Sequence, residues 1–428
     1  MRIQGKSVAY GENGESSQRK FARVDGNGTL SVFLNIRFSS PLSIYVRRHL
    51  KRIPAVVWIW RFLKGCARSA PYYAMRLLGH MLHPVTGARG PLRGYHVRTL
   101  DFPRRGQGSS VSFAPPGASD AASMDPFQPE LFVVVVPDAR VLSDGVVISS
   151  DHRLLADVSW AGWTDVSDPL IHPAMFKLRL PPIKRVAGRV AVLNSVDANI
   201  YYHWLFDVLP RLGLIRKGGL SVDYYFANTM LPFQRDTLRL LGLPGDRLLS
   251  STEETHLLAD ELVIPSLPGP VYSLSPQRYA CEYLRSAFLP KEGARRPHRA
   301  IYISRADAGS RRVINEAEIQ EELASYDFQL VTLGKLPFAE QVELFADARI
   351  VVGPHGAGLA NAVFCQPGTV LIEFMPENRV IDCFERTARF VGMTYHAIVG
   401  IEDDASSPSH DIRVDPVELK GLLRRYPG

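Results

Sequence analysis

The chain has 428 residues, 46% of them hydrophobic, and this length and composition predict a soluble protein of two or three domains. Its four cysteines, Cys66, Cys281, Cys365 and Cys383, form no C-x-x-C and no paired His spacing, which argues against a zinc site and a disulfide framework and points to a reducing, cytoplasmic setting. The net charge of +7 is uneven: residues 26–100 hold twelve Lys/Arg and no Asp or Glu, leaving 38 basic against 43 acidic residues elsewhere, a poor fit to a chain-wide nucleic-acid surface.

Residues 1–30 are polar and Gly/Ser-rich, without the charged-then-apolar pattern of a signal peptide, and read as a variable N-terminus. The basic excess peaks between Tyr45 and Lys64, where arginines and lysines flank the short apolar run Ile53–Trp60. That run is shorter than the ~20 residues that span a bilayer. Residues 44–82 therefore leave two readings open. One is an interfacial helix on the anionic inner face of the cell membrane; the other is an ordinary helix with a basic outer face. Residues 103–130, rich in Pro, Gly, Ser and Ala, read as a linker.

Phe132–Val136 opens the catalytic region as a buried strand, and Val190–Leu193 and Leu262–Ile264 are further strands. Between them lies Asn199-Ile-Tyr-Tyr-His-Trp-Leu-Phe-Asp-Val-Leu-Pro-Arg-Leu212. Trp204, Val208, Leu212 and Ile215 repeat at helical spacing as an apolar stripe, whereas His203, Asp207 and Arg211 share another face at i, i+4 and i+8. Pro210 should kink this helix near Phe206. A carboxylate one turn from a histidine fixes the imidazole tautomer, an arrangement suited to general base chemistry. The competing reading is an exposed helix ion pair, which is common and weak. A hinge is expected near Lys291–Pro297.

Strand and helix patterns then alternate. His298–Ser304 is a strand ending at Arg305, and Asp307–Arg312 is a polar loop that includes Arg311. Asn315 caps the next helix, with Glu318 as its capping-box partner. Asp327–Thr332 is a strand, Pro337–Asp347 a helix, and Thr369–Phe374 another strand. Before that last strand comes the run Arg349-Ile-Val-Val-Gly-Pro-His-Gly-Ala-Gly-Leu-Ala360, a buried strand, a small-residue turn and a helix start. Glycines let a ligand approach the backbone, and the helix N-terminus favours an anion beside His355. Close helix–sheet packing needs small residues too, and the spacing matches neither the dinucleotide fingerprint nor the Walker loop. Such alternation implies a parallel sheet, with ligands outside the carboxyl ends of its strands, where Arg305, His355 and Glu373 fall. Arg305 and Arg311 suit a diphosphate, Glu373 suits ribose hydroxyls, and Asn361 either contacts the ligand or faces outward. Asp415–Tyr426 closes the chain as a helix with Pro416 in its first turn.

Four blocks, Tyr201-Tyr-His-Trp-Leu-Phe-Asp207, Tyr302-Ile-Ser-Arg305, Gly353-Pro-His-Gly-Ala-Gly358 and Leu371-Ile-Glu-Phe374, together resemble the family-61 glycosyltransferases in order and spacing. The likeness runs over residues 130–400. That family includes plant xylosyltransferases, animal enzymes that add N-acetylglucosamine to proteins, and bacterial proteins of polysaccharide gene clusters. The resemblance implies an α/β, GT-B-like architecture: two Rossmann-type lobes with parallel sheets facing a cleft, here with a basic N-terminal extension. The expected division is 1–128 for the extension and linker, 129–296 for the acceptor-side lobe, and 297–428 for the donor lobe with its closing helix. The resemblance also implies an inverting reaction from a nucleotide sugar, UDP-linked, to a glycan or lipid-linked saccharide in surface or exported polysaccharide synthesis. Arg305, Arg311, His355, Gly356, Ala357, Gly358 and Glu373 would hold the donor. His203 and Asp207 would supply the base from the acceptor side, with its assignment between them open.

The chain contains no Asp-x-Asp, a common holder of a divalent ion on a sugar diphosphate. The leaving diphosphate would instead meet arginines, a histidine and a helix N-terminus, so activity without metal or cofactor is expected. Two other readings compete: transfer of a pyruvyl or phosphoryl-type group on the same scaffold, and nucleotide-sugar or glycan binding without catalysis.

Overall fold

The computed structural model describes residues 22–24, 30–32, 85–86, 96–99, 131–155, 158–159, 180–268, 276–290, 296–377, 381–402 and 409–427. The basic segment 44–82, the linker 103–130 and most of the expected hinge lie outside these residues. Contacts divide the chain into two compact units, Met1–Tyr72 and Tyr73–Gly428. In the first, β1 (Ala22–Val24) pairs antiparallel with β2 (Leu30–Val32).

The second unit contains two sheets. In chain order the first sheet's strands are β3 (Val85–Thr86), β4 (His96–Thr99), β5 (Phe132–Leu142), β6 (Val147–Ile148), β7 (Leu154–Leu155), β8 (Lys184–Val192), β9 (Tyr224–Ala227), β10 (Leu248–Ser250) and β11 (His256–Pro265). Their order is β10-β9-β8-β11-β5-β6-β7-β3, with β4 also on β5. The strands β10, β9, β8 and β11 run parallel, whereas β5 lies antiparallel to β11, β4 and β6. This corrects the expectation of a parallel Rossmann sheet here: only one half is parallel. In the other half short turns join β5 to β6 and β6 to β7 antiparallel, the long strands β5 and β11 also pair antiparallel, and the edge strand β3 runs parallel to β7. Strand β4 precedes Phe132, yet it pairs with β5 from Phe132 to Val135.

The second sheet follows the sequence reading closely. Strands β12 (Arg299–Ile303), β13 (Phe328–Val331), β14 (Ala348–Pro354), β15 (Val370–Pro376) and β16 (Thr394–Glu402) are parallel in the order β13-β12-β14-β15-β16. A short strand, β17 (Ile412–Arg413), closes the edge antiparallel. The chain leaves β12 for β13 on one side and then crosses to β14 on the other. The order therefore reverses between β12 and β14, where open α/β sheets keep their ligand crevice.

Helix α1 begins as Tyr201–His203, passes through a π-helical stretch, Trp204–Val208, and continues as Leu209–Lys217. The others are α2 (Pro232–Leu240), α3 (Arg278–Phe288), α4 (Glu316–Ala324), α5 (Phe338–Ala346), α6 (Cys383–Val391) and α7 (Pro416–Leu423). The glycine-turn run leads into a helix as expected, of the 3₁₀ type, Ala357–Phe364. Alternate residues of each strand face opposite layers, as the two-residue period requires. Val133, Val135 and Val351 join one core with Trp204, Leu212, Leu284 and Phe364, and this core is shared by both sheets. Val134 and Val136 face a second core on the first sheet, and Ile350 and Val352 a third on the second sheet. Helix α7 packs in that third core through Leu419 and Leu423, with Lys420 bonded to Glu322 of α4. The closing helix thus stays on the second sheet and does not return to the first.

Candidate active site

Helix α1 leaves the carboxyl end of β8 through the turn at Asn194–Ile200. Its π stretch has a local cause. Pro210 has no N–H to give the Phe206 carbonyl, and the Leu209 N–H reaches back five residues to Trp204 O. Both ends of the stretch are anchored. The buried Trp204 indole donates to Thr237 Oγ1 (2.8 Å), and Arg211 donates to Asn194 O (2.6 Å) and Pro265 O (3.0 Å). Burial lowers the Arg211 guanidinium to about 10, with Asp207 opposing that fall. Contrary to the sequence expectation, Arg211 does not share the His203–Asp207 face but turns to Asn194 O and Pro265 O. The extra residue of a π turn advances everything after it by roughly 100°.

Within α1, His203 Nδ1 lies 2.6 Å from Asp207 Oδ2. The histidine side chain is 4% exposed and the aspartate 26%, so this is no exposed surface pair. An ionised carboxylate only accepts, so Nδ1 carries the proton and Nε2 is turned away from Asp207.

The second sheet repeats this device. His355 follows β14, and its Nδ1 lies 2.5 Å from Glu373 Oε1 on β15. Glu373 is fully buried, and its other oxygen accepts the Tyr395 hydroxyl of β16 at 2.7 Å. Burial, with Glu373 beside it, holds that hydroxyl well above its ordinary pKa, so it remains a donor. Glu373, expected to meet ribose hydroxyls, has one oxygen at His355 Nδ1 and the other at the Tyr395 hydroxyl. Sequence reading missed Tyr395, whose partnership depends on the register that places β16 beside β15.

His203, Arg311, His355, Gly356 and Ala357 line one cavity of about 250 Å³, completed by Tyr202, Cys383 and Phe384 among others. The Phe384 ring lies tilted 5.2 Å from that of His355 and edge-on 5.9 Å from that of Tyr202. Arg305 is not part of this lining. Its guanidinium donates to Ser310 O (3.0 Å) and lies against Gly356, where an added Cβ would come within 2.0 Å of Nη1. Burial lowers its pKa, with Asp307 and Asp411 acting in the opposite sense. Glycine at 356 is thus a condition of the close approach between the arginine and the turn.

The Arg311 backbone is in the left-handed region (φ 55°) that L-residues seldom adopt. Its N–H donates to Ser409 O at 2.7 Å, while Asp411 accepts from the Arg312 backbone (2.9 Å) and guanidinium (2.7 Å). These bonds fix the loop so that Arg311 lines the cavity and Arg312 is held elsewhere.

Gly358 lies on a neighbouring cavity. Asn361, neither ligand-facing nor outward, is buried: it accepts from the Tyr201 hydroxyl and donates to Gln341 Oε1 and Gly358 O. Asn315 stands at the N-cap of α4 but bonds Val414 and Glu318 instead of making a cap bond. Cys281, Cys365 and Cys383 are buried free thiols. Among the described residues, no group of three or more His, Cys, Asp or Glu could hold a metal ion, and no helix is long and apolar enough to cross a membrane.

Two carboxylate-held imidazoles, a loop arginine and a glycine turn thus meet at one cavity beside a strand-order reversal. Residues 201–372 match the family described as Glycosyltransferase 61. Over 181 residues it is 28% identical to an EGF domain-specific O-linked N-acetylglucosamine transferase of Drosophila melanogaster, covering 38% of this chain and 34% of that protein. It is 30% identical over 100 residues to a beta-1,2-xylosyltransferase of Arabidopsis thaliana, covering 20% and 19%. It is 34% identical over 89 residues to a protein O-linked-mannose beta-1,4-N-acetylglucosaminyltransferase 2 of Tetraodon nigroviridis, covering 20% and 15%. The chain thus spans about a third or less of each of these relatives.

Proposed function

We propose that this protein is an inverting glycosyltransferase that moves a sugar from a UDP-linked donor to a glycan or lipid-linked saccharide, without metal, in surface polysaccharide synthesis. The observation that carries this reading is the cavity with His203, held by Asp207, and with Arg311, His355 and the Gly356 turn. His203 lines it and Asp207 does not, which favours His203 as the base and Asp207 as its support. The acceptor O–H gives its proton to His203 Nε2 as its oxygen bonds the anomeric carbon. The bond from that carbon to the diphosphate breaks, and the electron pair leaves with the diphosphate. Arg311, His355 and the N–H groups of the 3₁₀ helix meet that charge, and Arg305 supports the turn from its place against Gly356. Glu373 acts through His355. Two relatives carry a beta linkage in their names, and a beta product from an α-linked UDP-sugar requires inversion.

Thermal shift with UDP, GDP and CMP, with and without chelator, tests the donor site, because a ligand bound only by the native state raises its apparent stability. UDP should stabilise the protein selectively in chelator, and Arg305→Ala should lose this response. His203→Ala and Asp207→Asn should keep it and lose transfer. No response to any nucleotide would overturn the donor site. Activity abolished by chelator and restored by manganese would overturn the metal-independent reaction.

A further inference from the structure

A second cavity, of about 530 Å³, adjoins the first. Tyr201 lines it from α1, one residue before Tyr202 of the first cavity, and Gly358 lines it two residues after Gly356. The first cavity, at about 250 Å³, falls below the roughly 300–1,000 Å³ usual for sites that enclose a drug-sized ligand. A reaction that joins two substrates needs further room, and the second cavity supplies it.

Its walls are fixed. The Tyr201 hydroxyl donates to Asn361 Oδ1 (2.7 Å), Asn361 donates to Gln341 Oε1 (2.9 Å), and Gln341 donates to the carbonyls of Leu333 (3.1 Å) and Leu336 (2.9 Å). Every amide in this chain has a partner, so α1, the 3₁₀ helix, α5 and the 333–336 turn are locked around the space. The rings of Tyr201 and Phe233 meet at 87° with centroids 5.2 Å apart, making an aromatic corner. Asp236 and Lys335 stand on its other walls, with no side-chain hydrogen bond or ion pair to any described residue.

We propose that this cavity is a subsite for a neutral saccharide ring of the acceptor. The C–H face of a pyranose packs on an aromatic ring, and its hydroxyls can give a hydrogen bond to Asp236 and accept one from Lys335. Asp236 opposes a phosphate, and with Lys335 leaves no net positive charge, so a nucleotide diphosphate is disfavoured. This inference rests on the glycosyltransferase reading of the neighbouring cavity.

The test is saturation-transfer NMR on the full chain with cellobiose, xylobiose, maltose and chitobiose, beside thermal shift with UDP. At least one disaccharide should show transfer in the wild type. Asp236→Asn, at a partly exposed position, and Lys335→Gln, at an exposed one, should weaken its binding about tenfold each, the loss expected for a charge-assisted hydrogen bond. Phe233→Leu should weaken it further, and the UDP response should persist in all three variants. Transfer from none of the disaccharides, or unchanged affinity in both polar variants, would overturn the subsite. Loss of the UDP response in the same variants would also overturn it, by assigning the cavity to the nucleotide. A wild type that ignores UDP but binds a disaccharide through these residues would sink the donor reading and leave the saccharide site standing.

Discussion

At the scale of single residues, the site is organised by carboxylates that act through histidines. Asp207 and Glu373 each hold an Nδ1 and so fix the orientation of the ring. Glu373 is the more constrained, because it is fully buried and its second oxygen depends on one hydroxyl, that of Tyr395. Tyr395→Phe keeps the ring and removes only that donor. A buried carboxylate oxygen without its partner costs about 1–3 kcal/mol, more for a charged group. The variant should therefore lose about that much unfolding free energy, read as a lower urea midpoint. It should also bind UDP more weakly, because Glu373 can then rotate and His355 with it. Isothermal titration with UDP beside a urea melt separates the two effects. Loss of stability with unchanged UDP affinity would show that Tyr395 supports the sheet but not the site.

At the scale of elements, the π stretch of α1 is the feature that places His203. Its anchors at Trp204 and Arg211 hold its length, and Pro210 withholds the N–H that would close an ordinary α turn. Pro210→Ala restores that N–H to Phe206. The helix should then retain or gain stability while Asp207 shifts relative to His203, so transfer should fall at least tenfold with the melting temperature unchanged or raised. Wild-type turnover in this variant would show that the π turn has no part in placing the pair. The sequence made Pro210 legible as a kink but not as a π turn, because the response to a missing N–H depends on what anchors the helix on either side. The misplacement of Arg211 follows from the same turn. The second sheet was legible because parallel strands covered on both faces read as unbroken apolar runs such as Ile350–Val352. The antiparallel half of the first sheet was not, because strands as short as Val147–Ile148 carry no period to read. Type and spacing singled out His203, Arg311 and His355, which the fold brings to one cavity, and Asp207, which bonds His203. Tyr395, Phe384 and Asp411 belong to the site by register and loop closure, which a linear pattern does not carry.

At the scale of the whole molecule, charge is distributed by segment. The twelve Lys/Arg of residues 26–100, unopposed by any acidic residue, sit on a chain that is otherwise net acidic. A segment of that kind is drawn to an anionic surface, and each Lys/Arg near such a membrane contributes about 1 kcal/mol. Tryptophans at 58 and 60, beside Arg61 and Lys64, add the aromatic and basic pairing that favours the headgroup region. An enzyme whose acceptor is lipid-linked would gain from this placement, because the acceptor is then concentrated in the same plane. The full chain should therefore float with vesicles containing phosphatidylglycerol and not with neutral phosphatidylcholine vesicles. Flotation should fall as salt rises from about 0.1 M to 1 M, where the screening length shortens from roughly 10 to 3 Å. Removal of residues 44–82 should abolish flotation while leaving the UDP response intact, since the proposed donor site is built from residues beyond 200. Equal flotation on neutral vesicles would make the association apolar rather than electrostatic. No flotation on either would return the basic segment to an ordinary protein surface.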